Sequence, residues 1–252
     1  MKTSYVQQSP SRRAWLRFRK HRMGFFSLVA FVVLFVMSLG AEFLSNDRPL
    51  LVRYEGRWYS PVVQDLPETV FGGDFETPTD YLDPFILERL NQPGNWALRA
   101  PNPYHHSTLD YFAPLPNPAP PSGRNWLGTD DRGRDVLARL IYGFRISVLF
   151  ALALTAIGVL LGIVTGALQG FFVGKTDLVF QRFIEIWSSL PHLYLLIIVS
   201  SIITPGFFVL LGILLLFSWV SLVHVVRAEF LRARNFEYVN AARALGLSNG
   251  KI

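Results

Sequence analysis

The chain has no cysteine. A disulfide framework and a thiolate metal centre are both excluded, and redox compartment leaves no mark on the sequence. Charge is scarce as well: 17% of the 252 residues are Asp, Glu, Lys or Arg, against 51% hydrophobic residues that include 21 Phe. With a mean hydropathy of +0.31, this balance lies outside the range of an ordinary soluble domain and points to a membrane protein. The net charge of +6 does not argue for nucleic acid, because it is distributed about apolar runs.

Four of those runs are long enough to cross a hydrocarbon core of about 30 Å, which takes about 20 residues. They are Gly24–Leu44, Ile146–Leu168, Phe183–Ile203 and Gly206–Val226, and their central turns carry no charge, as the cost of burying it in lipid demands. The first ends with Glu42 and with "SLGA", Ser38 to Ala41. Small residues there also fit a signal-peptidase site, so a cleaved signal peptide is the alternative to a first span. Lys2, Arg12, Arg13, Arg17, Arg19, Lys20 and Arg22 precede this run without an acid, whereas Asn46 to Asp135 carries more acid than base. Residues 1–23 are therefore expected in the cytoplasm and the long loop outside. Four crossings return the chain to the inside, where Arg227, Arg232, Arg234, Arg243 and Lys251 follow the last run. Trp15 and Phe18 fall on one helical face of the basic leader, which suits a helix lying on anionic lipid.

Residues 45–145 form the expected extracytoplasmic segment. "APNPYHH" and the run from Pro114 to Pro121 make much of it irregular, while "LLVRYEGRWYSPVV" alternates about Glu55 and Gly56 like a hairpin. His105, His106 and Asp110, or Asp130, Asp131 and Asp135, are nominal metal ligands or an acid–base pair. Neighbouring His residues cannot share one face of a helix or strand, and this segment contains neither H-E-x-x-H nor G-x-S-x-G. A charged surface loop is the simpler reading.

After the prolines comes "NWLGTDDRGRDVLARLIYGFRIS". Thr129 or Asp130 can cap a helix, Gly133 permits a tight turn, and Val136, Leu137, Leu140 and Ile141 recur at helical spacing, an amphipathic lead-in to the second span. Gly128, Thr129, Asp130, Gly133, Arg134 and Asp135 within it resemble the segment before the conserved core of C-type permease subunits in ABC importers for dipeptides, oligopeptides and nickel.

"GFFVGKTD" falls short of the phosphate-binding loop G-x-x-x-x-G-K-[ST], because the first Gly position is Gln169. The loop therefore turns the chain between spans and does not bind ATP. Gly158, Gly162 and Gly166, four apart, form a stripe for close helix packing. Pro191 should kink the third run, and His192 and His224 either line a pathway or pack on neighbouring helices.

The last segment, "EYVNAARALGLSNGKI", has Tyr238, Ala241, Ala242 and Leu245 on one helical face and Arg243 on another. Gly246 should stop that helix, and Ser248 could cap a second short one. These residues resemble the EAA loop of ABC importer permeases, in which Glu-Ala-Ala, three residues and Gly form the coupling helix seated on the ATPase. Ala241, Ala242 and Gly246 match; Asn240 stands where the motif has Glu, and Glu237 opens the stretch. The likeness runs from about Trp126 to Ile252. The large outer segment is similar to that of YejE-type permeases for peptides and microcins.

The resemblance implies an all-α polytopic membrane protein of the MetI-like ABC permease fold, with four of six transmembrane helices present and an extracytoplasmic insertion after the first. It is expected in the bacterial inner membrane with its N-terminus cytoplasmic. Residues 24–44 would be the first span and 146–252 a partial permease core with its coupling loop at 227–252. The implied partners are a B-type permease subunit, two ABC ATPase domains that bind ATP and Mg, a periplasmic substrate-binding protein and membrane lipid. The chain itself would hold no cofactor and catalyse nothing. Stopping at Ile252, inside the coupling loop, it reads as a fragment or truncated product, whose absent helices would cover the glycine stripe. The rival readings are a membrane-anchored periplasmic enzyme or binding module built on residues 45–145, and a gated channel.

Overall fold

A computed structural model describes residues 9–111, 115–204 and 206–252; Lys2 and Pro114 lie outside them. The chain divides into two compact units, Met1–Ser147 and Val148–Ile252.

The first unit opens with α1 (Pro10–Lys20), whose N-cap Ser9 accepts from the amide of Arg12. His21 breaks the helix and its ring Nδ1 accepts from the amide of Gly24, capping α2 (Arg22–Leu39). Across the break, Trp15 and Phe18 touch ring to ring at 5.9 Å and both meet Phe25 at 6.4 Å. The first apolar helix thus ends at Leu39; Gly40 and the short α3 (Ala41–Leu44) follow. Glu42 belongs to that turn, outside the apolar helix, and accepts from the Arg145 guanidinium at 2.8 and 3.0 Å.

The segment after α3 contains the expected hairpin. Strands β1 (Leu51–Tyr54) and β2 (Arg57–Tyr59) pair antiparallel, and β3 (Trp96–Leu98) adds on the other side of β1. Glu55 and Gly56 turn the chain with φ of 49° and 79°, the two positive angles of a type I′ turn whose twist suits a hairpin. Alternation sends Val52 and Tyr54 inward. There they pack with Phe71, Tyr81, and Ile86 and Leu90 of α4 (Pro84–Leu90), a helix capped by Asp83. Phe71 meets Tyr54, Tyr59 and Tyr81 edge-on at 5.4 to 5.9 Å, the geometry that ring quadrupoles favour.

The boundary between units falls within α5 (Val136–Phe172), so the amphipathic lead-in and the second run are one 37-residue helix. Val173 and Gly174, both at positive φ, turn the chain into α6 (Lys175–Ser188). The third run is bent: α6 and α7 (His192–Ile202) meet at 62° across a break that contains Pro191, which has no amide hydrogen to continue the ladder. Helices α8 (Phe207–Ser218) and α9 (Val220–Ala233) together make one 27-residue apolar stretch. Among the described residues three helices are long and apolar enough to cross a membrane, or four if the bent pair is one span.

Backbone packing explains the glycine spacing. A Cβ on Gly162 would stand 3.0 Å from the Trp219 carbonyl oxygen, and one on Gly166 2.8 Å from that of Val223. Gly170 extends the stripe against Arg227 and Phe230. The expectation that helices beyond Ile252 cover this stripe is therefore corrected: α8 and α9 cover it.

Candidate coupling surface

The lead-in motif is an architectural knot. Asp130 accepts from the amides of Arg132 and Arg134, each at 2.9 Å, and from the guanidinium groups of Arg134 and Arg139. Burial works to raise its pKa, but the hydrogen bonds from Arg134 and the Arg132 amide outweigh it and hold the carboxyl at about 2. Thr129 accepts from the Ala119 amide and donates to Asn117. Gly128 and Gly133 turn the loop at φ of 77° and 82°. Neither Thr129 nor Asp130 caps α5; the cap is Asp135, fully buried, whose Oδ1 accepts from the Ala138 amide at 2.7 Å. Asn102 and Asn125 donate to the same carboxylate at 2.9 and 3.1 Å, and Asn102 also donates to Ser45. Among the described residues no cation pairs with Asp135; amide donors satisfy it.

His105 and His106 lie side by side. The rings of His105 and His106 lie 4.0 Å apart with their Nδ1 atoms at 3.1 Å, and both rest on Tyr142. The two occupy irregular chain, where the alternation of helix or strand does not apply. Burial, and then the neighbouring His106, push the pKa of His105 below its ordinary value. Asp110 is engaged elsewhere, by the Tyr104 hydroxyl and Arg124. Among the described residues no group of three His, Asp or Glu is arranged to hold a metal ion.

In the second unit α9 leads through Arg234, Asn235 and Phe236 into α10 (Glu237–Ala244). Val239 is buried and Ala242 half-buried, while Tyr238, Ala241 and Leu245 are exposed. Gly246, at φ 76°, ends the helix. The amide of Gly246 bonds to the Arg243 carbonyl at 2.9 Å and that of Leu247 to the Ala242 carbonyl at 3.1 Å, the paired bonds of a Schellman stop that a β-carbon would strain. Ser248 begins only a turn, closed by the Lys251 amide at 2.8 Å, so the second helix is absent from the described residues. Gly246 to Gly250 spell G-x-S-x-G, but these turns lack the strand-to-helix elbow that exposes a nucleophile. The Arg243 guanidinium lies 5.7 Å from the centre of the Phe171 ring. Asn240 donates from its side-chain amide to the Asn235 carbonyl at 3.4 Å, a bond that a carboxylate at this position could not make.

One ion pair escaped the sequence reading. Arg227 on α9 donates to both oxygens of Asp177 on α6 at 2.6 Å, a bidentate fork. With its amide carbonyl turned inward, Gln181 accepts from the same guanidinium at 2.8 to 3.0 Å. The sequence signal is an acid, Asp177, in the first turn of α6.

Residues 136–252 match the family model described as a binding-protein-dependent transport system inner membrane component. Residues 9–69 match the N-terminal TM domain of oligopeptide transport permease C. The inner membrane ABC transporter permease protein YejE of Escherichia coli (strain K12) is 51% identical over 245 residues, 97% of this chain and 72% of that protein. The peptidoglycan transport system permease protein YejE of Agrobacterium fabrum is 50% identical over 266 residues, covering 96% and 69%. The dipeptide transport system permease protein DppC of Bacillus subtilis is 35% identical over 133 residues, 53% of this chain and 42% of that one. The chain therefore belongs to the ABC transporter permeases, as a YejE-like, multi-pass inner-membrane subunit that is not itself a catalyst.

Proposed function

We propose that this chain is one of two permease subunits in an ATP-driven importer of peptides or peptide-like solutes, peptidoglycan fragments among them, and that α10 seats on the ATPase. The names of the relatives supply the solute class. The observation that carries the coupling role is the end of α9: a helix packed backbone to backbone on α5 by glycines, fixed by Arg227 to Asp177, and continued into a short knob. Tyr238, Ala241 and Leu245 are the knob's open face, apolar and with a small residue between two large ones, and the Gly246 stop sets its length. Closure of the ATPases would move such a knob as a rigid body and shift the helix packing behind it.

On this reading the basic leader is cytoplasmic and α2 is an uncleaved span, in keeping with the transmembrane description of the model matched by residues 9–69. The segment 45–145 is outside, a B-type permease completes the pathway, two ATPase domains bind ATP and Mg, and a periplasmic binding protein delivers the solute. Ala241→Arg and Gly246→Asp, made in the assembled transporter, are expected to abolish co-purification of the ATPase. Retention of the ATPase by both variants would refute the assignment of α10.

A further inference from the structure

The second face of the outer sheet has no part in the coupling role. Register places Trp58, Arg53 and Trp96 in one row across β2, β1 and β3, with side chains on the face opposite Val52 and Tyr54. The indoles lean together over the middle strand, centroids 6.1 Å apart, and the Arg53 guanidinium lies 5.9 Å from the Trp58 ring. Trp58 keeps 58% of its surface exposed, Trp96 47% and Leu98 45%, although the core on the other face buries its aromatics almost completely. Among the described residues no carboxylate forms an ion pair with Arg53.

We propose that this face is a docking surface for the soluble binding protein, which meets it with an apolar ridge flanked by carboxylates. The inference rests on the reading above, that the segment is outside and that transport is binding-protein-dependent. A soluble delivery protein must then touch the membrane subunits on that side, and do so reversibly. Two Trp and an Arg are the residue types that concentrate binding energy at the centre of small interfaces. The unpaired guanidinium sets the partner's charge as acidic, and charge complementarity of that kind steers encounter and fixes register. A rigid sheet presents all three side chains at little entropic cost.

The test uses the complete transporter in nanodiscs of neutral lipid, titrated with its binding protein, with ATPase stimulation as the signal. Trp58→Ala and Trp96→Ala are each expected to raise the half-maximal concentration of binding protein about thirtyfold, the effect of a hot-spot residue. Arg53→Glu should raise it as much and flatten its dependence on salt. The change should fall on the half-maximal concentration rather than on the rate at saturation. Trp126→Ala removes another exposed indole of the same unit and should change neither. An unchanged half-maximal concentration in Trp58→Ala/Trp96→Ala, with the complex intact, overturns the proposal. So does a loss of self-association of the transporter instead, which would assign the face to a second copy. Failure of the wild-type chain to bind any ATPase would refute the underlying permease role and is read separately, by co-purification.

Discussion

Replacing single glycines of α5 with alanine tests whether α5 and the α8–α9 stretch are joined by backbone contact. A methyl on Gly166 would lie 2.8 Å from both the Val223 carbonyl oxygen and the Val226 Cβ. On Gly170 it would meet the Phe230 Cβ and come within 2.7 Å of the Arg227 carbonyl oxygen. Carbon needs about 3.5–4.0 Å, so the helices must part by about 1 Å, and a gap of that size forfeits a quarter to a half of each lost contact. Overpacking of this kind costs about 1–3 kcal/mol. Against it stands the gain of alanine over glycine in a helix, about 1 kcal/mol, so the net loss is up to about 2 kcal/mol, or up to about 8 °C in Tm for a chain of this length. Gly212 is the control, because it lies in the apolar α8 with no atom within 4 Å of its notional Cβ. There the same replacement should be neutral or stabilising by up to about 1 kcal/mol. Thermal melting in detergent, followed by tryptophan fluorescence, reads all three variants. If Gly166→Ala and Gly170→Ala melt with or above Gly212→Ala, the close packing does not exist.

Asp177→Ala leaves the Arg227 guanidinium with Gln181 as its one remaining acceptor among the described residues and, for a part-buried pair held by charged hydrogen bonds, should cost about 2 kcal/mol, whereas Asp177→Leu/Arg227→Met should recover most of that in the same melting assay. The His105 pKa lies below 6.5 in the fold, so the unfolded chain takes up a proton there first. Stability from this group is complete above about pH 6.5 and falls as pH drops through the depressed value. Melting curves between pH 7.5 and 5 should show the decline, and His105→Gln should reduce it. Asp130, held at about 2, contributes nothing to that slope, since its stabilisation is lost only as pH falls from about 4 towards 2.

These perturbations separate what one-dimensional pattern can carry from what it cannot. The apolar runs, the hairpin about Glu55 and Gly56, the four-residue glycine spacing and the stop at Gly246 were legible because each is a local rule: span length, turn angle, helical period, backbone conformation. Pattern also located a kink at Pro191, though not its 62° bend. The errors share a different cause. Choosing Thr129 or Asp130 as the cap of α5 followed from which residues can cap, and Asp135 won because Asn102, 33 residues away, and Asn125 make its burial affordable in hydrogen bonds. Asp177 and Arg227 are 50 residues apart, and neither residue type signals a partner. The His105–His106 contact arises where the chain is irregular and side-chain direction follows no period. The face of Trp58, Arg53 and Trp96 is a middle case. Alternation predicts that these side chains leave the core, but only the register of three strands puts them in one row. Local rules thus place the apolar helices and α10, whereas the contacts that tie them together depend on pairings distant in sequence, and those pairings are where substitutions in this chain should be most damaging.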